Sequence, residues 1–318
     1  MDSLPKERTS VNERVVQVGC KINLHLEVKD RRPDGYHNLE SIFIPLKWGD
    51  ILSFTALDQR LSCDLRVFWN VPHRKCIETF QKTFCDMPVE KNIVYKALSL
   101  FRERTGWDRG IRIALEKKVP LAAGLGGGSA DAAAALRTLD DMAETRLPFD
   151  ELREMAAELG SDVPFFLYKT PAYVSGRGER IQKAACPWDF WALLVVPDFE
   201  SGTASAFRAL DKERENGAGA PKPSLSGKEL MDGLKDHPSN WRYCNDFLSF
   251  FLEGEHKKEY FAIFETLKHG GADFYSLSGS GSCCFGVFTH KQAAESTERV
   301  LAEGKNFVQI IHFTSCIF

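Results

Sequence analysis

The stretch 120–136, PLAAGLGGGSADAAAAL, constrains this chain more than any other. Gly124, Gly126, Gly127 and Gly128 fall within five positions and run into an alanine-rich segment. Glycine gives up more backbone freedom on folding than any other residue, roughly 0.5–1 kcal/mol against alanine, so such a cluster needs a cause. A glycine turn opening a helix supplies one. Bare backbone N–H groups can approach an oxyanion, and the helix N-terminus adds about half a positive charge. GIRIALEKKVP reads as a strand feeding the turn and Ala130–Met142 as the helix, with Ser129 at its N-cap. Ser129 is equally suited to offer its hydroxyl to phosphate or Mg2+. No Gly-Lys-Ser/Thr follows, and the spacing does not match the dinucleotide fingerprint, so neither familiar phosphate loop applies. A flexible turn before a capped, buried helix is the competing reading, and the number of glycines weighs against it.

The rest of the composition narrows the setting. At 318 residues, 43% hydrophobic and 27% charged, the chain has room for two soluble domains. A net charge of −3 gives no electrostatic case for nucleic acid or an anionic membrane. Positive charge that holds a ligand must therefore be local. The nine cysteines, at 20, 63, 76, 85, 186, 244, 283, 284 and 316, form no CxxC and no zinc spacing. They read as thiols in a reducing compartment. The start, MDSLPKERTSVNERVV, has no apolar run for a signal peptide or a membrane span, which makes the cytoplasm the expected address.

Residues 1–13 read as a disordered arm, 14–28 as a strand kinked near Gly19, and 33–35 as a turn. Strands follow through LESIFIPLKW and DILSFTAL, then an irregular stretch over 60–90. Residues 92–106 place Val94, Ala97, Leu98 and Phe101 on one helical face ended by Gly106. Pro148–Leu159 is a further helix, and from Ala172 short strands take over. A solvated linker is expected at 211–224, with helices at 226–235, 241–253, 257–269 and 291–303. A strand–turn–strand lies near 274–288 and a closing strand at 306–312. Strands and helices do not alternate one for one, so the class is α+β.

PLAAGLGGGSADAAAAL resembles the Pro-x-x-x-Gly-Leu-Gly-Gly-Gly-Ser phosphate loop of the GHMP kinases, which include galactokinase, homoserine kinase and mevalonate kinase. KINLHL (21–26) and SGSGSCCFGVF (278–288) fit the same superfamily in the right order. GCKINLHLEVKDRRPDGYHNLESIF, LGSDVPFFL and GRGER (176–180) resemble the branch that phosphorylates the 2-hydroxyl of 4-diphosphocytidyl-2-C-methyl-D-erythritol in an isoprenoid route. Asp34-Gly35-Tyr36-His37 is the most discriminating of these elements. The resemblance implies a two-domain GHMP kinase fold, the N-terminal half ribosomal protein S5 domain 2-like and the C-terminal half a ferredoxin-like α/β sandwich. It implies an ATP-binding domain over 1–170 and a substrate-binding domain over 171–318, the last strand being allowed to return to the first domain. The implied donor is ATP with Mg2+ and the implied partner the small-molecule alcohol.

The residues then take expected roles. Asp162, in GSDVPFF, is either a turn or capping carboxylate or, by resemblance, the group that deprotonates the acceptor hydroxyl. Lys21 is either an edge lysine of an apolar strand or the partner of Asp162 that neutralises the transferring phosphoryl group. Asn23, two residues on, faces the same way and is expected to bind substrate beside it. Pro120, Gly124, Leu125, Gly126, Gly127, Gly128, Ser129 and Ala130 are the expected ATP phosphate loop. By resemblance Tyr36 and His37 grip the cytidine, Phe207 stacks on its other face with Thr203 nearby, and Gly281 and Ser282 close over the acceptor. Phe207 reads equally as a core residue, and the SGSGS turn as a tight hairpin. Cys283 and Cys284 are expected to pack. Two other outcomes stay open: a GHMP kinase for another alcohol, such as homoserine or mevalonate, or a catalytically silent binding protein. Retention of both Lys21 and Asp162 counts against the second.

Overall fold

The computed structural model describes residues 13–70, 87–199, 201–215, 224–304 and 306–315. Nearly all of the expected N-terminal arm lies outside the described residues, as do 71–86 of the irregular stretch and 216–223 of the linker. The first half runs β1 (Glu13–Gln17), β2 (Cys20–Arg31), β3 (His37–Leu46), β4 (Ile51–Leu57), β5 (Cys63–Trp69), α1 (Ile93–Thr105), β6 (Gly110–Lys117), α2 (Gly127–Ala143), α3 (Phe149–Leu159), α4 (Val163–Tyr168), β7 (Ala172–Gly176) and β8 (Arg180–Lys183). The second runs β9 (Phe190–Val196), α5 (Thr203–Glu215), α6 (Gly227–Gly233), α7 (Phe247–Glu253), α8 (Lys257–His269), β10 (Phe274–Leu277), β11 (Cys284–Phe288), α9 (Lys291–Ala302) and β12 (Phe307–Phe313).

The strand expected over 14–28 is two strands in two sheets. β1 pairs with β4, whereas β2 pairs with β3. The chain changes sheets at Gly19, where a Cβ would run into the Leu46 carbonyl oxygen. β5 forms inside the stretch expected to be irregular and pairs in parallel with β6 at the sheet edge. Its outward Asp64 is held by Arg66 at 2.9 Å and Arg112 at 2.8 Å, while Cys63, Leu65 and Val67 on the other face pack against the core. The α1 face is as expected: Val94, Ala97, Leu98 and Phe101 are fully buried. Burial of large apolar side chains stabilises by about 1.5–3 kcal/mol each.

β7 and β8 extend the β2–β3 hairpin into a four-stranded antiparallel sheet. We therefore propose that the boundary between the halves falls between β8 and β9 rather than at 170/171. The third sheet has the order β10-β11-β9-β12, all antiparallel, with α8 and α9 in its two crossovers. That order is the split βαβ pattern of a ferredoxin-like sandwich. β12 pairs with β9 in this sheet. The expected linker begins as helix: α5 continues to Glu215. Arg214 ties its end to β2, donating to the carbonyls of Val28 at 2.6 Å and Lys29 at 3.2 Å. The helix expected over 241–253 starts only at Phe247. Asn245 instead spends its amide on the carbonyls of Leu277 and Gly279, at 2.8 and 2.9 Å.

A buried ion triad lies beneath α2. Lys117, Asp50 and Asp131 are each about 1% exposed, where an unpaired charge would be prohibitively costly. The Lys117 ammonium bonds to Asp50, and to Asp131 Oδ2 at 2.7 Å. Asp50 Oδ1 also accepts from the Val119 N–H at 2.8 Å, pinning the strand that leads into the glycine turn. Burial alone would lower the Lys117 pKa, but the two carboxylates outweigh it and hold it above the ordinary lysine value. Burial drives Asp131 well above the ordinary carboxylate value, against the pull of Lys117. Lys117→Ala strands two carboxylates in the interior and should cost about 3–5 kcal/mol in urea unfolding. A loss below about 1 kcal/mol, the range of an exposed pair, would contradict this account.

Candidate active site

The glycine stretch forms an uncapped helix start. Gly126 occupies the N-cap of α2 at φ 71°, a left-handed conformation that glycine adopts without strain, and no side chain caps the helix. The Ala130 N–H bonds to the Gly126 carbonyl at 2.9 Å. The N–H groups of Gly127, Gly128 and Ser129 precede it and have no intrahelical acceptor. Such a set, at the positive end of a 17-residue helix, is suited to an oxyanion. Ser129 is thus a first-turn residue and not the expected N-cap. The helix starts three residues earlier than Ala130 because Gly126 can make the turn.

The four glycines have different reasons. A Cβ at Gly124 would run into the Ser278 carbonyl. At Gly126 it would lie 2.9 Å from the Phe166 ring and 3.1 Å from Lys21 Cγ, and at Gly127 3.0 Å from Val119. At Gly128 the nearest atom is Ile93 Cγ2, at an ordinary 3.8 Å, and the residue is exposed. Internal packing therefore accounts for three of them. Gly128 is the one exposed glycine of the four, the other three being half-buried. Pro120, Leu125 and Ala130 are buried and frame the loop, the Leu125 carbonyl accepting from the Lys21 N–H at 2.9 Å.

Lys21 is 3% exposed at the start of β2. Its ammonium lies 2.5 Å from Asn23 Oδ1, 3.6 Å from Asp162 Oδ2 and 4.7 Å from the centre of the Phe43 ring. Burial pushes its pKa below the ordinary lysine value, with Asp162 pulling it back up. Asp162 precedes α4 but caps nothing, and its side chain keeps 32% exposure. The carboxylate turns to Lys21 and does not cap its own helix. Asn23 is spent internally. It accepts from Lys21 and from the Gly279 N–H at 2.9 Å, and donates to Ser41 Oγ at 3.0 Å. Asn23 is 1% exposed and holds the lysine.

The SGSGS turn packs on this centre. Ser278 Oγ donates to the Gly124 carbonyl at 2.9 Å, and the Cys283 N–H bonds to Ala123 O at 3.2 Å. Ser280 Oγ bonds to Thr203 Oγ1 at 3.0 Å, which links the turn to the start of α5. A Cβ on Gly281 would stand 3.3 Å from the Phe251 ring, and Ser282 is buried at 2% exposure. The Ser282 side chain is therefore within the fold. Cys283 and Cys284 are fully buried, and burial pushes the Cys283 thiol up to about 12. Packing is the role that this allows.

A second group gathers at the other end of the β2–β3 hairpin. The exposed Tyr36 lies under the Arg177 guanidinium, 5.1 Å from ring centre to carbon. A Cβ on Gly178 would stand 3.1 Å from Ser161, so the 176–180 turn leans on the residue beside Asp162. His37 is buried; its ring stacks on Phe207 at 5.2 Å with 24° between planes, and Nε2 lies 2.7 Å from Asp211 Oδ1. Phe207 also meets Phe247 edge-on at 4.9 Å, so it is partly a core residue and partly a wall facing His37. Sequence reading missed Ser278, Arg177 and Asp211. Ser278 opens a block already singled out and Arg177 sits in GRGER, but nothing local connects Asp211 to a histidine 174 positions away.

The GHMP kinases N terminal domain family matches residues 92–170 and the GHMP kinases C terminal family residues 229–306. The chain is 35% identical over 294 residues to the 4-diphosphocytidyl-2-C-methyl-D-erythritol kinase of Chlorobaculum parvum, covering 90% of this chain and 93% of that one. It is 34% identical over 279 residues to the enzyme of that name from Bacillus pumilus, covering 87% and 88%. The fold superposes on a crystal structure of 4-(cytidine 5'-diphospho)-2C-methyl-D-erythritol kinase with TM-score 0.70 and 29% identity, over 95% of this chain and 100% of that one. Homoserine kinase from Cytophaga hutchinsonii has the same fold, at TM-score 0.62 and 18% identity over 98% of each chain. With two GHMP kinase domains, relatives of one name along most of its length and the matching architecture, this chain belongs to the 4-diphosphocytidyl-2-C-methyl-D-erythritol kinase family of the GHMP kinases.

Proposed function

We propose that the chain transfers the γ-phosphoryl group of ATP to the 2-hydroxyl of 4-diphosphocytidyl-2-C-methyl-D-erythritol, giving the 2-phosphate and ADP. The observation that carries this reading is the Lys21–Asp162 pair, 3.6 Å apart, beside a helix start with unclaimed N–H groups. Phosphoryl transfer needs positioned oxygens and charge neutralisation more than covalent help from the protein. Asp162 takes the proton of the acceptor hydroxyl, and Lys21 favours the alkoxide and neutralises the moving group. Asn23 holds Lys21, and the N–H groups of Gly127, Gly128 and Ser129 hold phosphate oxygens. His37, Tyr36 and Phe207 bind the cytidine, where stacking on an aromatic is worth ~1–3 kcal/mol. Arg177 brings positive charge to the same end of the site.

Among the described residues, no three His, Cys, Asp or Glu side chains form a metal cluster. Mg2+ therefore enters this proposal on the nucleotide's own phosphates, with the Ser129 hydroxyl as the protein group we assign to it, neutralising charge on the phosphates. No described helix is long and apolar enough to cross a membrane. A reducing, cytoplasmic setting agrees with Cys20, Cys63, Cys283 and Cys284, which carry no disulfide.

Purified protein with ATP and Mg2+ should release ADP with the cytidine-linked alcohol and not with homoserine or mevalonate. Turnover of mevalonate alone would sink the substrate assignment. Asp162→Asn should lower kcat by about 10²–10⁴, the usual contribution of a general base, with nucleotide affinity nearly unchanged. Activity within a factor of three of the parent would remove Asp162 from that role. Gly128→Ala separates fold from function. It should leave stability equal or up to about 1 kcal/mol higher, as alanine for glycine in a helix, while raising the KM for ATP. An unchanged KM for ATP would show that phosphate does not approach there.

A further inference from the structure

Helix α5 meets His37 with two side chains, one on the ring face and one at its edge. Phe207 and Asp211 are four residues apart, on the same helical face. Phe207 stacks on the imidazole, and Asp211 Oδ1 lies 2.7 Å from Nε2. The helix is pinned one turn further on. Arg214 donates to the carbonyls of Val28 and Lys29 and lies 3.4 Å from Asp246, which also accepts from the Val28 N–H at 2.9 Å. Val28 pairs with Leu39 across the hairpin, so the strand that carries His37 and the helix that carries Asp211 are held in fixed register. His37 has a side chain only 6% exposed, and an ionised carboxylate accepts hydrogen bonds but donates none.

We infer that Asp211 is a positioning residue that sets the tautomer of His37 and, through it, the base that the site accepts. With the proton committed to Nε2, Nδ1 of the neutral ring carries a lone pair. An acceptor there matches the 4-amino group of cytosine and repels the 4-carbonyl oxygen of uracil, two groups of opposite hydrogen-bonding sense at one position. The inference rests on the proposal that His37 faces the base. Phe207 adds stacking, which every base provides, whereas the Asp211–His37 pair adds the polarity that tells two pyrimidines apart. A site that leaves a buried polar group unpaired with the wrong partner discriminates far better than one that relies on shape.

Three measurements test this. In the 15N-histidine NMR spectrum of the whole protein, His37 should show a protonated Nε2 and an unprotonated Nδ1. Asp211→Leu and Asp211→Asn should shift the ring toward mixed tautomers, while Asp211→Glu restores the original form. In kinetics with the cytidine-linked alcohol and its uridine counterpart, Asp211→Leu should raise the KM of the cytidine form about tenfold with little change in kcat. The preference for cytidine should fall by a similar factor. A ring protonated on Nδ1 in the parent protein, or Asp211 variants with unchanged tautomer and base preference, would overturn the inference. His37→Ala distinguishes it from the reading beneath it. A raised KM for the cytidine form in His37→Ala, together with an intact preference in the Asp211 variants, rejects the Asp211 role alone. An unchanged KM in His37→Ala rejects the placement of the base at His37 itself.

Discussion

The backbone contact between two glycine turns holds the site together. Gly124 lies so close to the Ser278 carbonyl that no side chain fits between them, and Ser278 Oγ bonds back to the Gly124 carbonyl. One turn leads into α2 and the other joins β10 to β11, so this contact seats the second half of the molecule on the first. β2 runs alongside it. The Lys21 N–H bonds to Leu125 O, and the Asn23 side chain receives Gly279 N–H. Any loosening of the two turns would move the ammonium and the unclaimed N–H groups relative to each other. That is why side-chain-free positions are concentrated here.

Two buried lysines show how the surroundings decide what a charge does. Lys117 is enclosed by two carboxylates and held above its ordinary pKa, which makes it a structural cation under α2. Lys21 is equally buried but faces one partly exposed carboxylate 3.6 Å away, and burial wins. A lysine held below its ordinary pKa costs stability in its charged form. Such a cost is expected where a residue serves a bound group and not the fold. The bonds from Asn23 and the ring of Phe43 keep Lys21 in place while leaving the Asp162 side open.

Much of the fold was legible because it rests on local chemistry. The face of α1, its Gly106 terminator, α8 and the strands on either side of SGSGS all follow from periodicity and turn residues. β5 was missed although Cys63, Leu65, Val67 and Trp69 alternate with Asp64 and Arg66, because the run is short and its parallel partner β6 lies far along the chain. α5 was not foreseen at all, and its last turns lie in a charge-rich stretch where Arg214 finds its acceptors on β2 and not on its own helix. At the site, residue types in recognisable blocks could be assigned one by one. Their division of labour could not: Asn23 and Ser282 look suited to ligand contact in sequence, yet both side chains are buried within the fold.

The sequence by itself determined a glycine-led helix start of the kind suited to an oxyanion, and the blocks of a small-molecule kinase. Glycine conformation, helix polarity and motif order are properties of neighbouring residues, and they survive without knowledge of the fold. Tertiary structure alone decided which of the four glycines has room for a side chain and that Asp162 turns to Lys21 and not to its helix. It also brought Asp211 to His37. Those facts depend on distances between segments far apart in the chain. Such distances are set by how three sheets and their helices share one interior, and no local pattern encodes them.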